Sequence, residues 1–207
     1  MSQVVSKVRA AKLELYRKQG KIHAKAVDGR FNRLRWLMVW LTQGIFYGLC
    51  WLPWEVSGQL RQAVLFDRDL TQGVMAEVEK LYRTDNSREA RAIAGLSMGG
   101  GQALNIGLNH LDLFSHIGVF SMGLRGSEDE FIADHERVFA SSEETNRDLK
   151  LFWIACGDKD FLFDAAQRLD ALLTKSGIRH TFRKTSGGHV WANWAKYLGE
   201  FAPLLFR

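Results

Sequence analysis

Gly95-Leu96-Ser97-Met98-Gly99 fits the G-x-S-x-G nucleophile elbow. It stands between a strand-like run, Arg91-Ala92-Ile93-Ala94, and a run Gly99-Gly100-Gly101-Gln102-Ala103-Leu104 that can open a helix. In that setting Ser97 occupies a strained turn that exposes its hydroxyl at the end of a strand. The flanking Gly95 and Gly99 are expected because the turn packs its backbone too tightly for a β-carbon.

A nucleophilic serine needs a base to take its proton and a carboxylate to orient that base. Both follow in chain order. Leu151 to Cys156 is an apolar strand that breaks at Gly157-Asp158-Lys159-Asp160, a turn with two candidate acids. His180 to Thr185 reads as a further strand running into Ser186-Gly187-Gly188-His189. Among the histidines His189 follows a Gly-Gly turn at a strand end, whereas His110, His116 and His180 are read as structural. Asp164 suits a helix N-cap, and Cys156 a buried strand position. The order Ser, Asp, His is that of the α/β-hydrolases.

Three stretches carry a resemblance over Leu70 to Arg207: Gly95 to Ala103, Ala155 to Asp160, and Gly187-Gly188-His189-Val190-Trp191. This part of the chain resembles the C-terminal part of the esterase-D, feruloyl-esterase and acetylxylan-esterase-like α/β-hydrolases. The resemblance implies Ser97 as nucleophile, Asp160 rather than Asp158 as orienting acid and His189 as general base. Leu111-Asp112-Leu113-Phe114 resembles the stretch after the family's nucleophile helix, with Leu111 where a proline is common.

Val74, Met75, Val78, Leu81 and Tyr82 recur at helical spacing before the elbow. So do Ala165, Ala166, Leu169, Leu172 and Leu173, with Gly177 as stop signal, and Trp191, Trp194, Ala195, Leu198 and Phe201. With a strand at Ile117 to Phe120, the order is strand, helix, strand, loop, strand, helix, strand, helix. Alternation of this kind predicts an α/β fold with a mostly parallel, helix-covered sheet, a partial α/β-hydrolase fold.

The strands expected before a nucleophile strand of this family are not found in residues 1–69, where a helical apolar segment stands in their place. Met1 to Arg35 holds ten Lys or Arg against Glu14 and Asp28, and Trp36 to Trp54 runs nineteen residues without a charge. Two readings of 36–54 stand: a membrane span with basic residues on its cytoplasmic side, giving an inner-membrane anchor, or a buried helix in a cytoplasmic protein. The run before it is too long for the n-region of a cleavable signal peptide. Asp28 to Trp36, Gly48 to Trp54 and Arg61 to Asp67 resemble the N-terminal part of the iron-sulfur membrane proteins that assist cytochrome oxidase assembly. Their cluster does not transfer, because this chain has only Cys50 and Cys156. The chain therefore reads as a join near residues 67–70, with a segment 1–69 and a catalytic part 70–207. Loss of the upstream strands would leave the nucleophile strand at a sheet edge, to be covered by a strand from Arg61 to Phe66 or by a second copy. A homodimer is the expectation.

With 46% hydrophobic residues the chain can bury a core. Its pI near 9.3 comes without a nucleic-acid-binding module, so no nucleic-acid partner is expected. The implied chemistry is acyl transfer on a small ester, with no metal or organic cofactor. The Met98 amide is expected as one oxyanion donor and the loop that gives the second is not found, which predicts slow turnover on short, activated esters unless the N-terminal segment supplies a replacement. The competing reading is a non-catalytic membrane-attached or interaction protein carrying a hydrolase remnant.

Overall fold

The computed structural model describes residues 65–207, which lie within one compact unit, Trp36–Arg207. The basic stretch and the apolar run 36–54 lie outside the described residues. Among those described, no helix is long and apolar enough to cross a membrane.

Four strands, β1 (Ala92–Leu96), β2 (His116–Phe120), β3 (Leu151–Gly157) and β4 (Thr181–Thr185), form one sheet in that order, all parallel. Side chains alternate between its faces with period two. Ile93, Ile117, Val119, Phe152 and Ile154 point to one core, shared with helix α2 (Met98–Asn109) through Ala103, Leu104, Ile106 and Leu108. Leu169, Leu172 and Leu173 of helix α6 (Phe163–Lys175) join the same core. Ala94, Leu96, Phe120, Trp153 and Ala155 point the other way, onto Trp194, Tyr197 and Phe201 of helix α7 (Trp191–Phe201). Each fully buried side chain of this size contributes about 1.5–3 kcal/mol.

Helix α1 (Met75–Leu81) is preceded by a π-helical turn, Asp69–Val74, closed by the Met75 N–H donating to Leu70 O. That i to i+5 spacing aligns Leu70 with Met75 on the buried face. Val74, Leu81 and Tyr82, which a uniform helical period places inside, are exposed. Leu65 and Phe66 are already helical, so the expected strand from Arg61 does not reach them. The start of that stretch lies outside the described residues.

Three further expectations are corrected. Asp164 lies inside the first turn of α6, whose N-cap is Leu162, so its charge meets the positive helix end without capping it. In α7 the inward residues are Trp194, Tyr197 and Phe201, while Trp191 and Ala195 are exposed. The stretch read as a loop between β2 and β3 holds three short helices, α3 (Glu128–Asp134), α4 (Glu136–Ala140) and α5 (Ser142–Asp148). Helix α3 starts on a capping box in which Ser127 and Glu130 satisfy each other's amides.

Among the described residues β1 pairs on one side only, with β2. Arg91 O accepts from Ser115 N–H and Ser97 N–H donates to Phe120 O. By alternation the peptide groups of Ala92, Ala94 and Leu96 face away from β2.

Two buried histidines tie stability to pH. His135 donates from Nδ1 to Phe131 O, and its buried Nε2 has no partner among the described residues. Ser115 donates its hydroxyl proton to Arg88 O, so His116 Nδ1–H donates to Ser115 Oγ, and His116 Nε2 accepts from Phe206 N–H. Burial pushes both imidazoles below their ordinary value, and for His116 the charges of Arg88 and Lys150 add to it. A base depressed in the fold takes up its proton more readily when unfolded. Its stabilising contribution is therefore full above about pH 6.5 and is lost as pH falls from there through the folded-state value. Urea unfolding at pH 8 and pH 5 is expected to show lower stability at pH 5, with a smaller loss in His135→Leu. An equal loss in that variant would remove His135 from the account.

Candidate active site

The turn after β1 places Ser97 at φ 52° and ψ −123°, a left-handed backbone that costs a non-glycine residue about 1–3 kcal/mol. Two bonds hold it there, Ser97 N–H to Phe120 O at 2.9 Å and Gly101 N–H to Ser97 O at 3.1 Å. A β-carbon on Gly95 would fall 2.0 Å from Gly99 O, whereas one on Gly99 meets no described atom within 4 Å. The close approach thus belongs to Gly95 alone, which corrects the symmetric reading of the two glycines. Gly95→Ala is expected to lose about 3 kcal/mol or more in urea unfolding, since backbone must move. Gly99→Ala should stay within about 1 kcal/mol of the parent protein. Equal losses would contradict this placement.

His189 bridges the elbow and the acid loop. Its Nε2 accepts from the Ser97 hydroxyl at 2.9 Å, and its Nδ1–H donates to Asp160 Oδ2 at 2.9 Å and Oδ1 at 3.0 Å. The Asp160 side chain is fully buried, and Oδ1 also accepts from Leu162 N–H. The carboxylate therefore has donors on hand and no route to solvent, which fixes the tautomer of the ring it faces. Asp158 lies elsewhere, exposed, with Oδ1 accepting from Gly187 N–H at 3.1 Å.

Aromatic rings flank His189 on two sides, Phe161 at 4.6 Å and Trp194 edge-on at 4.9 Å. The Trp194 indole N–H donates to Ser121 Oγ. Ser121 is itself buried at φ 50°, a left-handed non-glycine that the sequence does not flag. Phe161 is 77% exposed, Trp191 58%, and Val190 and Met98 are about half exposed. Met98, Phe161 and Val190 adjoin Ser97, Asp160 and His189 in the chain, and Trp191 follows His189 by two residues.

Met98 opens α2, whose first amides have no intrahelical acceptor.

Among the described residues the other histidines bond within the fold. His110 pairs with Asp67 and His180 with Asp170, in addition to His116 at the start of β2. Burial pushes the Cys156 thiol up to about 12, so it is no nucleophile at neutral pH.

A family model described as "Putative esterase" matches residues 54–203. Among curated proteins, the endo-1,4-beta-xylanase/feruloyl esterase of Xylanibacter ruminicola is 25% identical over 142 residues, 69% of this chain and 18% of that protein. Nitrogen fixation protein FixG of Rhizobium meliloti is 41% identical over 63 residues, 29% of this chain and 12% of that protein. A solved ferulic acid esterase is 28% identical with a TM-score of 0.57, covering 68% of this chain and 60% of its own. The chain thus spans less than two thirds of each of these relatives. With its parallel sheet, its elbow and a family match over most of its length, the chain belongs to the esterase family.

Proposed function

We propose that this protein is a serine carboxylic-ester hydrolase acting on short acyl or aryl esters through an acyl-enzyme. The observation that carries the reading is the unbroken line from Ser97 Oγ through both nitrogens of His189 to a buried Asp160. His189 takes the Ser97 proton as the oxygen attacks the ester carbonyl. The tetrahedral intermediate places its negative oxygen at the Met98 N–H. Collapse expels the alcohol, protonated by His189, and leaves Ser97 acylated. Water, deprotonated by the same histidine, attacks the acyl carbon, and the acid leaves as Ser97 regains its proton.

The exposed apolar side chains of Met98, Phe161, Val190 and Trp191 can contact an acyl or aryl group, which agrees with the feruloyl esterases among the relatives. Loss of one of two oxyanion donors lowers turnover by on the order of 100- to 1,000-fold, so a slow esterase is expected unless the N-terminal segment supplies the second. A homodimer and a join near residues 67–70 belong to the same reading. The short FixG match supports the join.

The test is hydrolysis of p-nitrophenyl acetate and butyrate by purified protein, with labelling by a fluorophosphonate. Labelling with turnover supports the enzyme. Recovery in the membrane fraction without labelling would support a non-catalytic remnant.

A further inference from the structure

His189 sits at the centre of a tight turn in which Gly188 O accepts from Val190 N–H at 3.0 Å. A side chain at the centre of such a three-residue turn is aimed by the peptides on either side of it. Asn193, in the first turn of α7, holds the peptide before His189 and the carbonyl of the residue after it. Its backbone N–H donates to Val190 O at 3.1 Å, and its side-chain Nδ2 donates to Gly188 O at 2.9 Å.

The same amide also reaches the acid loop. A β-carbon on Gly157 would fall 2.9 Å from Asn193 Nδ2 and one on Gly187 3.0 Å from it, so the amide fills a notch that two glycines leave open. Around that notch the loops are zipped by Asp158 N–H to Thr185 O, Lys159 N–H to Gly187 O and Gly187 N–H to Asp158 Oδ1. These bonds fix the loops at Gly187. Among the described residues Asn193 bonds the turn on both sides of His189, and Trp194 N–H also donates to Val190 O.

We infer that Asn193 is a positioning residue for catalysis. Its amide locks the turn that carries His189, so that one nitrogen faces Ser97 while the other faces Asp160. This rests on the reading of Ser97, His189 and Asp160 as the catalytic triad. Asn193 does not touch substrate. Its loss leaves substrate binding intact and misdirects the imidazole.

The experiment compares Asn193→Ala and Asn193→Asp with the parent protein on p-nitrophenyl butyrate, alongside the rate of fluorophosphonate labelling and the melting temperature. Asp keeps the shape of Asn and replaces the donor with an acceptor that repels Gly188 O, so it tests the hydrogen bond without the gap that Ala leaves. Expected is a kcat lower by about 10- to 100-fold in both variants, the cost of a slightly misplaced catalytic group. KM should hold within about threefold, labelling should slow in proportion to kcat, and the melting transition should remain cooperative. Parent-like kcat and labelling in the Asp variant would overturn the inference, as would a raised KM with unchanged kcat. Ser97→Ala, run in parallel, separates the two levels. If it is inactive while the Asn193 variants run at full rate, the positioning role alone fails. If it keeps the parent rate, the triad reading fails with it.

Discussion

Ser97→Ala is expected to bring hydrolysis of p-nitrophenyl acetate down to the spontaneous rate and to abolish fluorophosphonate labelling. Removing the nucleophile of a triad costs about 10⁴- to 10⁶-fold in kcat, because the remaining groups cannot form the acyl-enzyme. The backbone should tolerate the change, since it is held at Ser97 by the N–H and C=O, to Phe120 and Gly101. The left-handed φ remains strained with alanine as with serine. A fold-preserving loss of activity is therefore the signature, read as an unchanged urea midpoint beside a vanished rate. Equal rates in parent and variant would leave a hydrolase-like scaffold without this chemistry.

The parts of the site that were legible in the sequence are those where chain chemistry is local. Gly95, Ser97, Gly157, Asp160, Gly187 and His189 each lie where a strand ends in a turn, and turns of this kind need specific residue types at fixed offsets. The sheet was legible for a similar reason: strand-like runs that alternate with helical patterns argue a parallel arrangement.

What was not legible depended on long-range packing or on a broken period. The π-turn before α1 moves the buried face from Val74 to Leu70 and Met75, and no periodicity count anticipates an inserted residue. In α7, counting apolar residues selected Trp191, yet the helix turns Tyr197 inward, where its hydroxyl bonds with Thr185. Trp191 stays exposed two residues after His189, consistent with contact to a ligand rather than to the core. The helices α3 to α5 lack a strong apolar stripe, although Ser127 and Glu130 carried a capping signal at the right spacing. Nothing local singles out Asn193 or Ser121, since each matters through partners far away in the chain or through backbone conformation.

Asp160→Asn is expected to lower kcat by about 10⁴-fold, and Asp158→Asn to leave it within about threefold. The two residues are two positions apart in one turn, so the contrast isolates geometry from composition. At 160 the carboxylate accepts from His189 Nδ1–H and from Leu162 N–H inside a dry pocket. An amide there can turn its NH₂ toward the ring. The histidine then carries its proton on Nε2, pointing a donor at Ser97 where an acceptor is required. At 158 the carboxylate serves as an acceptor for Gly187 N–H, and the oxygen of asparagine can accept the same bond, so the loop is held as before. Measuring kcat for both variants on p-nitrophenyl butyrate decides between the two acids. A large loss at 158 with little at 160 would reverse the assignment, and with it the line of hydrogen bonds on which the proposed chemistry stands.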